Sequence, residues 1–133
     1  MRSKILETMG AALYWAEGTK MRIDKRGWKQ YHVVFTNTDS DMIKAFLKFL
    51  KSFKEVNENR IKIQLHLYPE HDTDKEIDFW SNTTSVPKRQ FEKVIYAKGA
   101  GKRKNSKHGI CAVRYYSKSV YLEIEQLINS LPK

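Results

Sequence analysis

The residues best suited to chemistry fall in one short segment, Gly10-Ala11-Ala12-Leu13-Tyr14-Trp15-Ala16-Glu17-Gly18. Ala12 and Ala16 stand four apart, on one side of a helix, where small side chains let a second helix approach closely. An acid followed by glycine then ends the helix at that contact. If two copies pack side by side, two Glu17 carboxylates meet at one end of the pair. Paired carboxylates near a basic surface suit a hard divalent cation that hydrolyses phosphodiesters: oxygen ligands, an activated water and a stabilised leaving oxygen. Gly10, Ala12, Leu13 and Ala16 are the residues expected at this two-fold interface.

A basic surface is equally legible. The 133 residues carry 25 Lys and Arg against 15 Asp and Glu, a formal charge of +10. Residues 93–122 contain no acid, while Lys93, Lys98, Lys102, Arg103, Lys104, Lys107, Arg114 and Lys118 supply eight positives, so most of the excess is concentrated in one stretch. A one-sided positive surface gathers a polyanion and releases its counterions on binding. The segment 98–108 (KGAGKRKNSKH) is the first candidate for that contact, and a solvated loop is the alternative reading of its Gly, Ser and Asn content.

These residues need elements to position them. Ile5, Met9, Leu13 and Ala12/Ala16 recur at three- and four-residue steps, which predicts a helix over residues 4–17 that Gly18 stops. A short strand near 21–23, a turn at 24–27 and a strand over 30–36 follow, the last alternating Tyr31, Val33 and Phe35 against Gln30, His32 and Thr36. Asp39 or Ser40 caps a helix whose stripe of Met42, Ile43, Phe46, Leu47, Phe49, Leu50 and Phe53 covers a core, with Lys44, Lys48 and Lys51 on its solvated side. Residues 60–67 alternate most clearly: Ile61, Ile63, Leu65 and Leu67 face one way and Arg60, Lys62, Gln64 and His66 the other. Asp72, Thr73 and Glu76 form a capping-box start for a helix through about 81. Pro87 opens a short helical or irregular piece ending near 96. A strand over 109–116 and a helix capped by Ser117 or Ser119, burying Val120, Ile124, Leu127, Ile128 and Leu131, complete the chain. The expected class is α+β, a single domain over residues 1–133, with helices on one side of the sheet and one face left open. The open face displays long hydrogen-bonding side chains that match base edges and phosphates. A polar outer face without a ligand is the alternative.

The Gly10–Gly18 segment resembles the LAGLIDADG motif of homing endonucleases, with Glu17 at the second acidic position and Gly18 at the closing glycine. Trp15 stands where that family often has its first acid, and Glu17 where Asp is more usual. The order of elements is similar to the family's αββαββα fold, with a helical insertion at about residues 69–96, between the third and fourth strands. The Tyr14-Trp15-Ala16-Glu17-Gly18 wording is similar to a divergent, single-motif prokaryotic branch. The resemblance implies a homodimer joined through the motif helix and a curved antiparallel sheet saddling a pseudo-palindromic double-stranded DNA site. It implies two or three Mg²⁺ shared at the interface, held by Glu17 and the Gly18 carbonyl. Lys20, or a lysine of the 102–107 stretch such as Lys104, would polarise the phosphate or activate water; matching to the motif does not choose between them. DNA contacts are expected from Arg22, Arg26, Trp28, Lys29, Gln30, His32, Arg60, Lys62, Gln64, His66, Lys98, Lys102, Arg103, Lys104, Lys107 and Arg114. The superfamily also contains catalytically silent DNA-binding regulators and RNA maturases, so both remain alternatives, as does an intron passenger's role.

Other signals point away from rival chemistries. One cysteine, Cys111, excludes a disulfide scaffold and is expected as packing in a strand. His66, His71, Asp72 and Asp74 match no closed zinc spacing, and the two acids suit the first turn of a helix. Trp15 and Trp80 read as core, whereas Trp28, flanked by Arg26, Gly27 and Lys29, reads as an exposed loop tip. No stretch approaches the ~20 apolar residues that span a bilayer, and residues 1–7 lack the apolar run of a secretory signal, so a cytoplasmic location is expected.

Overall fold

The computed structural model describes residues 2–97 and 107–133. Helix α1 spans Lys4–Glu17, with the Ser3 hydroxyl accepting from the Leu6 amide at 3.1 Å. Strands β1 (Arg22–Ile23) and β2 (Lys29–Gln30) form a small antiparallel hairpin pairing Arg22 with Gln30. Strand β3 (His32–Asn37) follows, then α2 (Ser40–Lys51), β4 (Lys62–Leu67), α3 (Thr73–Thr84), β5 (Ile95–Tyr96), β6 (Ile110–Tyr116) and α4 (Lys118–Asn129). The described residues thus form an α+β fold of four helices and two sheets, with no closed barrel.

The larger sheet has the order β3-β6-β4-β5. β6 lies antiparallel to both β3 and β4, and β5 runs parallel to β4. The sheet is expected to be antiparallel throughout and the piece opened by Pro87 helical or irregular to near 96; Lys88–Gln90 do form a 3-10 turn, and the parallel edge strand at Ile95–Tyr96 is the correction. Its cause is topological. The chain leaves β4, crosses through α3 and re-enters the sheet beside β4, and such a crossover sets two strands parallel. The Glu92 backbone amide donates to the Ile63 carbonyl at 2.7 Å and that of Ala97 to the Leu67 carbonyl at 2.8 Å, stitching this return to the edge.

Period-two alternation decides which face is buried. Val33 and Phe35 of β3, Cys111, Val113 and Tyr115 of β6, and Ile63, Leu65 and Leu67 of β4 form one core with residues from all four helices, including Tyr14, Phe46, Trp80 and Ile124. Asp39 caps α2, its carboxylate accepting from the Asp41 and Met42 amides, and Ser117 caps α4. Lys44 and Lys48 are exposed on α2, as their spacing requires.

Helix α1 turns a different side to the core from the one its periodicity suggested. Gly10, Ala11 and Tyr14 are buried, while Ile5 is 82% exposed and Trp15, expected in the core, is 50% exposed. The helix is apolar almost all round, so spacing alone does not single out a face. Contact does: a Cβ on Gly10 would sit 2.0 Å from the Phe49 ring, so the absence of a side chain brings α1 onto α2. The α3 start also differs. Asp72 alone caps it, accepting from the Lys75 amide at 3.3 Å, and Glu76 turns inward instead of closing a capping box.

Candidate nucleic-acid interface

Strand alternation that buries one face must expose the other, and β6 runs down its middle. Register places Val34, Arg114 and Lys62 in one cross-strand row, and His32 beside Tyr116 in the next. On the other side of Arg114 come the row Thr36, Ala112 and Gln64 and then the pair Ile110 and His66. Four of the expected contact residues, His32, Lys62, Gln64 and His66, therefore share a face with Arg114. Gln30 and Arg22, cross-strand partners in the hairpin, stand where the chain enters β3. Arg60 does not belong to the strand; it ends a 3-10 turn over Glu58–Arg60 and is exposed beside Lys62. Lys29 is exposed in the hairpin opposite Ile23 and does not line the cavity that Gln30 lines.

The face is electrostatically tuned. Arg114 Nε lies 3.1 Å from Glu92 Oε1, a partner contributed by the edge segment that sequence spacing did not single out. Burial, reinforced by the Arg114 charge, pushes the His32 imidazole below its ordinary pKa, against a smaller opposing pull from Glu92. The His32 ring packs edge-on against Tyr116 with centroids 4.8 Å apart. Gln64 Nε2 donates to the Lys93 carbonyl at 3.1 Å, tying the side chain to the edge segment. A cavity of about 140 Å³ opens between Lys20, Arg22, Gln30, His32 and Arg114.

Glu17 is the last residue of α1 and is exposed; Gly18 follows it and forms a bridge to Phe35 of β3. A Cβ at Gly18 would fall 2.4 Å from the Tyr14 ring, so glycine lets the helix end close onto the sheet. Tyr14 is the fastener. Its buried hydroxyl donates to the Thr19 carbonyl at 2.6 Å and accepts from the Val34 amide at 3.3 Å, and burial raises its pKa to about 12. The Thr19 amide adds a bond to the Val34 carbonyl at 3.0 Å. Lys20 Nζ donates to the Trp15 carbonyl at 3.3 Å, neutralising the carbonyl end of α1 next to Glu17. The motif is thereby fixed at the margin of the outer face.

Of the residues expected at a two-fold contact, Ala12 and Ala16 are exposed on one side of α1 and Leu13 is half-buried against the core. Gly10 is not on that side: it is covered by its own chain's Phe49, a correction that follows from the helix rotation above. Trp28 is 63% exposed at the hairpin, with the Arg26 guanidinium 4.5 Å above its ring. Lys107 is exposed in the turn before β6, while Lys98, Lys102, Arg103 and Lys104 lie outside the described residues. Cys111 is fully buried and its thiol pKa is raised by that burial.

Glu17 and the Gly18 carbonyl offer oxygen donors of the type Mg²⁺ takes, but among the described residues of one chain no group of three or more His, Cys, Asp and Glu could hold a metal. These two oxygen donors would fit the ion only if a second chain brought its own Glu17. No helix among the described residues is long and apolar enough to cross a membrane. Comparison of the chain with protein-family models, curated proteins and solved structures finds no match.

Proposed function

We propose that this chain is a single-motif LAGLIDADG-type homing endonuclease: a homodimer that binds double-stranded DNA on the outer sheet face and hydrolyses phosphodiesters with Mg²⁺ at the junction of two α1 helices. The observation that carries the reading is the placement of Glu17. It ends a helix whose Ala12 and Ala16 side is bare, and Tyr14 and Gly18 pin that end to the margin of a face bearing Arg114, Lys62, Gln64, His66 and His32. The order α1, β1, β2, β3, α2, β4, α3, β5, β6, α4 keeps the helix–strands–helix–strands–helix succession of the αββαββα reading, with α3 and the edge strand β5 read as the insertion.

In this account the outer face binds the duplex, Lys62 and Arg114 meeting phosphates and the amides and imidazoles meeting base edges. Glu17 from each subunit and the adjoining Gly18 carbonyl would hold the ion, which would supply Lewis-acid stabilisation of charge at the scissile phosphate. Lys20, freed from the Trp15 carbonyl, or a lysine of the 102–107 stretch polarises the phosphate.

A competition experiment tests the binding half. Protein bound to a labelled duplex is challenged with unlabelled duplex and with structured RNA at matched ionic strength. Displacement chiefly by duplex agrees with the proposal. Displacement chiefly by RNA replaces it with a maturase-type role, and no binding to either removes the interface.

A further inference from the structure

The β1–β2 hairpin carries a unit that net charge does not explain. The Asp24 carboxylate accepts four hydrogen bonds. Oδ1 takes the backbone amides of Arg26 at 2.9 Å and Trp28 at 3.0 Å, and Oδ2 takes Arg26 Nη2 at 3.0 Å and Gln30 Nε2 at 2.9 Å. One side chain thus shapes the turn and also fixes two others. The Trp28 amide, with the Arg26 and Gln30 side chains assisting, holds the Asp24 carboxyl below the usual carboxylate range, so all four acceptor positions are available at neutral pH. Arg26 is clamped from a second direction, because its guanidinium lies 4.5 Å over the Trp28 ring. Its side chain nevertheless remains 68% exposed.

A phosphate anchor needs only positive charge, and placing a carboxylate 3.0 Å from Arg26 cancels much of it. What the arrangement gains is orientation. Asp24 takes one N–H of Nη2 and the Trp28 ring lies against the guanidinium, which leaves the remaining N–H donors of a held but largely exposed group free to meet a ligand. Paired guanidinium donors match the O6 and N7 acceptors of guanine in the major groove, and a two-stranded ribbon is narrow enough to enter it. We infer that Arg26, held by Asp24 and Trp28 at the tip of the β1–β2 hairpin, is a guanine-reading residue, with Asp24 the positioning residue that makes it selective. Gln30 ties the tip to the strand that continues into the outer face. The inference rests on the DNA-binding reading above and adds to it a base and the residues that choose it.

The test is selection of duplexes from a randomised library by the whole protein, by Arg26→Lys and by Asp24→Ala, each variant first checked for wild-type circular dichroism and melting. Lysine keeps the charge but not the fork. Wild type is expected to enrich a guanine that both variants cease to enrich, while the other enriched positions persist. A second arm needs no variant. Replacing that guanine by 7-deazaguanine removes the N7 acceptor and is expected to weaken wild-type binding by about tenfold. Enrichment of the same guanine by all three proteins, or full affinity for the 7-deaza duplex, overturns the inference and leaves the DNA-binding reading standing. Failure of wild type to bind any duplex overturns both.

Discussion

Nδ1 of His108 lies 2.8 Å from Oε1 of Glu76, joining α3 to the residue that ends the basic segment before β6. The neighbouring residues of α3 complete the grip. The His108 ring stacks on Phe79 at 3.7 Å, and Trp80 Nε1 donates to the His108 carbonyl at 2.8 Å. Since Glu76 is buried, removing either partner leaves a polar atom short of its bond. Glu76→Ala and His108→Ala are each expected to lower unfolding free energy by about 1–3 kcal/mol in urea titrations. A double-mutant cycle should show coupling above about 0.5 kcal/mol; strictly additive losses would mean that the two side chains act independently.

Gly10 and Ala12 differ by two residues yet serve different contacts, and substitution separates them. Gly10→Ala drives a Cβ into the Phe49 ring and is expected to destabilise the monomer by about 1–3 kcal/mol. Ala12→Leu, on the exposed side, should leave monomer stability close to wild type and disrupt self-association. Sedimentation velocity alongside chemical denaturation reads both effects. A wild type that stays monomeric on DNA removes the shared metal site.

How far the sequence foretold this arrangement depended on whether a signal was local. The alternation of Ile63, Leu65 and Leu67 against Lys62, Gln64 and His66, and the caps at Asp39 and Ser117, act within a few residues and were readable. The orientation of α1 was not, because a helix apolar on most sides is rotated by what packs on it, here Phe49 at Gly10. Strand β5 is two exposed residues held by backbone bonds to β4, so it carries no side-chain pattern. The Glu92–Arg114 and Glu76–His108 pairs join residues far apart in sequence, which no spacing rule reports. Asp24 was visible as a turn residue, but its bonds to Arg26 and Gln30 depend on the hairpin register.

Glu123 of α4 is held above its ordinary value near 4.5 by burial and then by the charge and hydrogen bond of Glu55. A raised folded-state pKa means that the folded protein binds the proton more tightly. Its contribution is therefore present below pH 4.5 and lost as pH rises through the higher folded value. At neutral pH the pair is repulsive. Glu123→Gln is expected to raise the melting temperature at pH 7, corresponding to about 0.5 kcal/mol after solvent screening, and to give no gain near pH 3.5. Melting curves at the two pH values check the sign, and a loss of stability at pH 7 would contradict it.

Binding should depend on salt in proportion to the phosphates met. Lys102, Arg103 and Lys104 replaced together by Ala are expected to weaken binding to all duplexes, reducing the slope of log K against log salt by about 0.9 for each lost contact. Lys62→Ala alone should reduce it by about 0.9. Titrations at several salt concentrations give the slopes, and an unchanged slope in the triple variant would assign that segment to solvent.

In the proposed function Glu17 serves cleavage and not the fold. Its exposure at the end of α1 predicts that Glu17→Gln folds as wild type, since the shape is kept and only the charge that a hard cation requires is removed. The direct measurement is cleavage of supercoiled DNA carrying a selected site, with Mg²⁺ or Mn²⁺, by wild type and by Glu17→Gln, with binding measured in parallel. Wild type should cut, and Glu17→Gln should bind at least as tightly without cutting, because a carboxylate facing phosphate has been neutralised. A wild type that binds its site tightly and never nicks it with either metal, or a Glu17→Gln protein that cuts at the wild-type rate, would contradict the account.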